Sequence, residues 1–331
     1  MKKSIFALFV ITLIIGLVAI SGFAQNIKVG YIASNMAADS NVAAWAGMEA
    51  YAEREGWDVE LIDCRGDITK FSPNIINFVS KGVDAIALCC SEKSLIEEGV
   101  EAASKAGIPV FLEDTENIGD TIVNGTSNCW AMGALLGSQA IDRIRAMHGT
   151  EGGNVAIIGM PDLYVHRQRQ QMMEAINSPE NTDINILEIE TCDVSNWPTR
   201  PYEITKTWIT KYGDDLDAIL GTWDGIGWGV SRAILDAGMT KENIFTMSID
   251  GSEQTYDLMR KGDPFVGVIA QNFAGWSEVV GDAIKAVVVE GKDPASVVPE
   301  SRTVYVPYKW IDITNVPAKG EGVDFGYEGL Y

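Results

Sequence analysis

The sequence predicts an α/β protein built from two parallel, doubly wound units that follow one another along the chain. Short apolar runs of strand length alternate with helical segments, which predicts parallel sheets covered by helices. The runs are apolar almost throughout, as in strands that are buried on both faces. The same rhythm begins again after a boundary near residues 126–128, and 331 residues are enough for two cores.

The first unit alternates in order from residue 27 to residue 123. Two of its predicted helices end at a glycine, the residue that most readily ends a helix. The predicted strands are 27–33, 57–63, 83–90, 108–112 and 122–123, and the predicted helices are 43–56, 71–82 and 94–106.

The second unit repeats this order. Its polar loop, Gly221 to Gly225, follows an apolar run, and in a parallel sheet such a loop lies at the carboxyl end of the strand, where open α/β folds bind ligands. The predicted strands are 155–158, 184–191, 218–220, 244–249, 265–270 and 304–308, and the predicted helices are 130–147, 166–177, 202–212, 229–238, 253–261 and 275–290.

Composition and motifs disfavour several classes of function. A formal net charge of −21 argues against a nucleic-acid partner, because phosphate binding needs clustered Lys and Arg. The glycines of Gly225 to Gly229 do not have dinucleotide-binding spacing, and the chain has no Walker loop and no Gly-x-Ser-x-Gly elbow. Only His148 and His166 are available for acid–base chemistry, so an enzyme is the weaker alternative and no cofactor is expected.

Residues 1–24 have the pattern of a secretory signal peptide. Lys2 and Lys3 precede an apolar run over 5–20, and small residues lead to a predicted cleavage near Ala24. This pattern predicts export to a periplasm. A retained membrane anchor is the alternative.

The five cysteines cannot all pair within one chain because their number is odd: Cys64, Cys89, Cys90, Cys129 and Cys192. Cys89 and Cys90 fall in a predicted strand, where neighbouring side chains point to opposite faces. We interpret the cysteines as small buried hydrophobes. Without a Cys-x-x-Cys pair, and with two histidines, no metal site is expected.

Six short segments, in order and spacing, carry a resemblance to a known family. The chain resembles the type I periplasmic sugar-binding proteins of ABC transporters, in the ribose- and galactose-binding group. The segments are Lys28-Val-Gly-Tyr-Ile32, Lys81-Gly-Val-Asp-Ala-Ile86, Ala106-Gly-Ile-Pro-Val110, Asp217-Ala-Ile-Leu220, Ser248-Ile-Asp-Gly251 and Gly267-Val-Ile-Ala-Gln271.

The resemblance implies two Rossmann-like lobes with parallel sheets, joined by a three-crossing hinge. The first lobe is then 26–127 plus about 272–302, and the second is 128–271 plus about 303–331. Ligand binds between lobes that close over it, and the closed form docks on a membrane permease.

A sugar site needs planar polar side chains for the hydroxyls and an aromatic face for the C–H groups. Residue by residue, the resemblance implies ligand contacts at Asp114, Arg167, Asp250 and Gln271. The alternatives are a surface or interlobe salt bridge for Asp114 and Arg167, and capping or hinge structure for Asp250 and Gln271.

Departures from the family pattern leave the ligand open. Similar proteins often have Asn before the Asp of the second-lobe loop, whereas this chain has Trp223 and Asp224; the indole either stacks on the ligand or fills the cleft floor. Trp197 lies where relatives have an aromatic residue. The first loop lacks the relatives' stacking aromatics, although Asp39, Ser40 and Asn41 can bind hydroxyls, and Thr115 replaces the arginine of ribose-type proteins.

The sequence therefore predicts a periplasmic solute-binding protein that captures a small polar ligand, a monosaccharide or polyol above all, for an ABC transporter permease. The alternative output is sensing, in which the loaded protein docks on a chemoreceptor or a histidine kinase.

Overall fold

The computed structural model describes residues 26–149, 152–180 and 182–326. The predicted signal peptide, 1–24, lies outside these residues. Within them, no helix combines the length and the apolar character needed to cross a bilayer.

The first lobe contains a six-stranded sheet. Its strands are β1 (Lys28–Ala33), β2 (Asp58–Asp63), β3 (Ala85–Cys89), β4 (Val110–Glu113), β5 (Asn124–Thr126) and β11 (Thr303–Tyr305). They are arranged in the order β2-β1-β3-β4-β5-β11, and every neighbouring pair is parallel. The central strands are buried on both faces, which explains their unbroken apolar sequences.

Four longer helices cover this sheet: α1 (Asp39–Glu55), α2 (Phe71–Lys81), α3 (Lys93–Ala106) and α9 (Phe273–Ile284). Helix α9 follows the second lobe in the chain but packs on α1. Gly47 of α1 permits this packing, because a Cβ there would lie only 2.7 Å from Oγ of Ser277. A π-helical turn, Lys285–Val289, and the short helix α10 (Pro294–Val297) then lead to β11.

The second lobe contains the other six-stranded sheet. Its strands are β6 (Gly153–Gly159), β7 (Ile184–Thr191), β8 (Ala218–Gly221), β9 (Phe245–Asp250), β10 (Phe265–Gln271) and β12 (Tyr308–Asp312). They follow the order β7-β6-β8-β9-β10-β12. Strand β12 runs antiparallel to β10, so the expectation of a purely parallel sheet is wrong at this edge. The helices are α4 (Cys129–His148), α5 (Tyr164–Ile176), α6 (Arg200–Tyr212), α7 (Asp224–Asp236) and α8 (Glu253–Lys261).

The chain crosses between the lobes three times. The crossings lie between β5 and α4, between β10 and α9, and between β11 and β12. The last one corrects the boundary predicted near residue 303 and the single strand predicted over 304–308. The N–H group of Val306 still bonds to the first lobe at Thr126, whereas Tyr308 pairs with Gln271 of the second. Pro307 has no N–H group for either ladder, so the strand divides there.

Candidate ligand-binding cleft

A cavity lies between the lobes, where the carboxyl ends of strands from both sheets face each other. It measures about 50 Å³, which is room for a few water molecules. The first lobe contributes Ser34, Asn35, Ala38, Ser40, Asn41, Cys90, Ser91, Asp114 and Trp276, and the second contributes Met160, Leu163, Val165, His166, Arg169, Val194, Trp197, Trp223 and Asp250.

Contacts across the cleft show that the two lobes are closed on each other. Ala38 of the first lobe packs within an apolar cluster that otherwise belongs to the second lobe. Ser40 of the first lobe lies close enough to Asp250 of the second to lower the pKa of its carboxyl group, and Glu92 forms an ion pair with Arg167 at the rim. The cavity therefore lies between lobes that are in contact with each other.

The centre of the site is a buried arginine between two aspartates. Arg169, whose side chain is 1% exposed, donates from Nη1 to Asp250 Oδ1 at 3.0 Å and from Nη2 to Asp114 Oδ2 at 3.4 Å. Nη1 also donates to the carbonyl of Thr222 at 3.1 Å. Asp114 belongs to the first lobe and the other three residues to the second, so the guanidinium links the lobes at the cavity.

Neighbouring residues fix the positions of this group. Gly133 of α4 lets α5 approach closely, because a Cβ there would clash with the backbone carbonyl of Arg169. Gln271 donates from Nε2 to Asp250 Oδ1 at 2.6 Å, and Thr126 donates to Asp114 Oδ1 at 2.5 Å. The two aspartates have positive backbone φ angles, 45° for Asp114 and 113° for Asp250. Such strained conformations are typical of functional sites.

Burial sets the protonation of the carboxylates. It raises the pKa of Asp114 to about 6, although Arg169 opposes the shift. Burial also raises the pKa of Asp250. The pKa of Asp224 is raised well above its ordinary value by burial and by the charge of Asp250. Among the described residues that line the cavity, Arg169 alone carries a permanent positive charge.

His166 is neutral in this environment. Burial and the charge of Arg169 hold its pKa well below the ordinary value. Its Nδ1 lies 3.0 Å from Oγ1 of Thr222. The imidazole therefore contributes hydrogen bonding to the cavity wall without adding charge.

Three tryptophans form an aromatic wall on the second lobe. The rings of Trp197 and Trp223 meet edge to face, with centroids 4.6 Å apart, and Trp228 lies about 6 Å behind both, at 6.1 and 6.2 Å. Trp228, which is half-buried, donates from Nε1 to Thr255 at 2.8 Å, and this hydrogen bond fixes the position of its ring. Within the described chain, Nε1 of the buried Trp223 has no hydrogen-bond partner.

Comparison with protein families decides the class of this chain. Residues 29–293 match the model of the periplasmic binding protein domain. The chain belongs to the periplasmic binding protein family. Family members are solute-binding proteins of ABC transporters, which confirms the resemblance drawn from the six segments.

Individual relatives of this periplasmic binding protein are distant. The xylitol-binding protein of Mycolicibacterium smegmatis is 25% identical over 258 residues, covering 75% of this chain and 68% of the relative. The galactofuranose-binding protein YtfQ of Escherichia coli K12 is 26% identical over 301 residues, covering 86% and 87%.

Solved structures confirm the two-lobed fold. An ABC transporter solute-binding protein from Mycobacterium smegmatis with bound glycerol has a TM-score of 0.77 at 20% identity, covering 90% of this chain and 100% of that one. One from Agrobacterium vitis with bound allitol has a TM-score of 0.76 at 21% identity, covering 88% and 97%.

The predicted site residues divide into two groups in this periplasmic binding protein. Those that the structure brings to the cavity wall are Ser40, Asn41, Asp114, Trp197, Trp223 and Asp250. Those that lie off the wall are Asp39, Arg167, Asp224 and Gln271.

The structure corrects the placement of Arg167. Its guanidinium donates to both carboxylate oxygens of Glu92 at 3.0 Å and to the carbonyl of Pro161 at 2.9 Å. It thus forms the interlobe salt bridge that was the alternative, because α5 turns this residue toward the rim. Arg169, two residues later, faces the cavity together with Val165, one turn before it.

The other three residues off the wall have local roles. Asp39 is exposed at the first residue of α1, where a negative charge favours the helix dipole. Asp224 is buried and accepts a 2.8 Å hydrogen bond from Thr255 of α8. Gln271 lies behind Asp250 and orients it.

Sequence reasoning missed Arg169 and His166, which are both buried beside Thr222, and the turn Cys90–Ser91. The helical repeat of buried positions at Val165, Arg169 and Met173 was the available signal for Arg169. No comparable pattern marks the turn, whose side chains reach the cavity only through the packing of the lobes.

Proposed function

We propose that this protein captures a monosaccharide or polyol between its lobes and delivers it to an ABC transporter permease. The observation that carries the proposal is the buried Asp114–Arg169–Asp250 group beside an indole wall. Aspartate oxygens accept hydrogen bonds from sugar hydroxyls and the guanidinium donates them, while indole covers the apolar faces.

The distances in the cavity support a change of hydrogen-bond partners when a ligand binds. The contact between Arg169 and Asp114 is long, at 3.4 Å, and joins the two lobes. Ligand hydroxyls inserted there take over these hydrogen bonds, so only the closed, loaded form makes all contacts. Ligand binding then shifts the conformational equilibrium of the protein toward the closed form.

The relatives support the ligand class. Two relatives are named as xylitol- and galactofuranose-binding proteins, and two structural neighbours hold allitol and glycerol. We propose binding without turnover, since Arg169 engages the cavity carboxylates and Thr222 holds the imidazole of His166. We also propose export, with residues 1–24 removed as a signal peptide and the mature chain in the periplasm.

The test is to identify the ligand that the protein selects. Purified protein is incubated with a mixture of polyols and pentoses, desalted, and analysed by native mass spectrometry and after denaturing release. Retention of one polyhydroxylated compound, with 1:1 binding by calorimetry, is the expected result. Retention of an amino acid or a peptide, with no binding of any polyol or sugar, contradicts the proposal.

A further inference from the structure

Two adjacent cysteines at the end of β3 have no part in the proposed function. Cys89 is the last residue of β3 and is fully buried, and Cys90 lines the cavity. Their side chains were expected on opposite faces of a strand. The structure contradicts this, because Cys90 leaves the strand with a φ of 62°. Both side chains therefore pack on the same apolar cluster, which contains Tyr31 and Trp276.

The two thiols belong to neighbouring residues of one turn and pack on one cluster, and each affects the pKa of the other. Burial, and then the neighbouring Cys90, raises the pKa of Cys89 well above its ordinary value. For Cys90 the neighbouring Cys89 lowers the pKa, but burial and nearby carboxylates outweigh this effect, so the pKa is raised. Both groups are therefore protonated thiols at neutral pH. Metal binding is not indicated either, because the described residues contain no cluster of three side chains suited to a metal ion.

We propose that Cys89 and Cys90 form a reversible vicinal disulfide in the wall of the ligand cavity. The proposal uses the export put forward above, because disulfides persist in oxidising compartments. The oxidant is a disulfide-bearing oxidoreductase or a small disulfide. One cysteine thiolate attacks it and forms a mixed disulfide, releasing one oxidant thiol. The second cysteine attacks the first sulfur and releases the other. Two electrons pass to the oxidant, and its two sulfurs take up the two cysteine protons.

The local backbone is suited to such a ring. A non-glycine residue with positive φ, such as Cys90, is uncommon, and the proposed disulfide would hold it in this conformation. The ring is reducible, because adjacent Cα atoms lie only about 3.8 Å apart, closer than in most disulfides. The same turn carries Ser91, held by a 2.9 Å hydrogen bond from its N–H to Thr115 Oγ1, and Glu92, the partner of Arg167. The disulfide therefore orders a segment that contacts both the cavity and the opposite lobe.

The test is a redox titration of the purified protein in glutathione buffers. Free thiols are blocked with N-ethylmaleimide under denaturing conditions, and the tryptic peptide 82–93, which contains both cysteines, is weighed. At oxidising ratios we expect an unblocked peptide lighter by two hydrogen atoms, which accepts two blocking groups after reduction. Cys89→Ala removes this species, whereas Cys64→Ala, buried in a different cluster of the first lobe, retains it.

A peptide that carries two blocking groups at every oxidising ratio overturns the proposal, as does a disulfide that maps from Cys90 to Cys129 or to another chain. Calorimetry supplies a second readout with the ligand identified above. Reductant is expected to weaken wild-type binding by roughly three- to tenfold, because ordering a loop on binding costs free energy, and to leave Cys89→Ala unaffected. Cell fractionation tests export separately, so failure of export and failure of the disulfide are distinguishable.

Discussion

The two lobes present different surfaces to the cleft. The first lobe contributes small polar side chains, such as Ser40 and Asn41 from the first turn of α1 and Ser91 from the turn after β3, together with Asp114. The second lobe contributes large, packed groups, chiefly Arg169 and the tryptophan wall. The difference indicates that the second lobe holds a preformed ligand surface and that the first lobe completes the hydrogen bonds on closing.

Local hydrogen bonds make this division possible. In the first lobe, Oδ1 of Asn41 accepts from the N–H and the hydroxyl of Ser34 at 3.0 and 2.9 Å, so the turn after β1 keeps its shape without large side chains. In the second lobe, rigid indoles lose little conformational entropy when a ligand binds. Substitutions on the two faces should therefore differ in their effects.

The largest effect is expected at Arg169. Arg169→Ala leaves Asp114 and Asp250 buried without their cation, so the free energy of unfolding should fall by roughly 3–5 kcal/mol and ligand affinity by at least about a hundredfold. Denaturant titration and calorimetry measure both. Arg167→Ala, which removes the rim salt bridge and a partly exposed hydrogen bond to Pro161, is the matched control with a loss of about 1 kcal/mol or less. Equal losses in the two variants would contradict the assignment of the cavity cation.

The next effect concerns Glu113, a buried first-lobe carboxyl whose neighbours among the described residues are Tyr31, Ser277 and Asp114. Tyr31 and Ser277 donate to it at 2.5 and 3.0 Å, and burial raises its pKa from 4.5 to about 8. The folded chain thus holds this proton more tightly than the unfolded chain. Its stability contribution is complete below pH 4.5 and is lost as the pH rises to about 8.

The expected slope is a loss of roughly 1 kcal/mol per pH unit across that window. Glu113→Gln should remove most of this slope, because an amide cannot ionise. Denaturant unfolding at a series of pH values measures it, with Glu49→Gln on the exposed face of α1 as the control. A Glu113→Gln variant that keeps the wild-type slope would show that another group titrates.

A smaller effect is expected for the aromatic wall. Trp197 is half-buried, so Trp197→Ala should weaken ligand binding by about five- to tenfold with little change in unfolding free energy. Trp197→Phe should recover part of the affinity. Trp130→Ala is the matched control, because Trp130 is 41% exposed on α4, and tryptophan fluorescence titrations measure the affinity of both variants. Wild-type affinity in Trp197→Ala would contradict a stacking role for this indole in ligand binding.

The smallest effect is expected at the rim. The ion pair between Glu92 and Arg167 forms only when the lobes are closed, and its arginine is 37% exposed. A double-mutant cycle with Glu92→Gln and Arg167→Gln should give a coupling of about 0.2–1 kcal/mol in ligand binding, reduced by salt. A coupling of zero at low ionic strength would mean that the pair does not contribute to closure.

Local patterns in the sequence predicted the order of strands and helices in both lobes, because apolar runs and helix ends are local features. The edge strands β11 and β12 were predicted as one strand over 304–308, since local patterns do not show that its two halves pair with different sheets. In the site, Asp114, Asp250 and Trp223 were predicted because they lie at or just after the carboxyl ends of strands, at positions where the resemblance draws attention to the ligand, and the structure places all three on the cavity wall. Arg167 was chosen over Arg169 because motif spacing locates a helix but not the face that it turns inward.

Calorimetry of Asp250→Ala with the identified ligand tests the central claim most directly. Asp250 joins Arg169, Gln271 and the first-lobe Ser40 at the cavity. The account predicts a loss of affinity of about a hundredfold or more, with the fold intact by circular dichroism. The control is Asp217→Asn. Asp217 is also buried but lies just before the amino end of β8, away from the cavity, so this variant should bind ligand as the wild type does. Unchanged affinity in Asp250→Ala would contradict the placement of the ligand between the lobes.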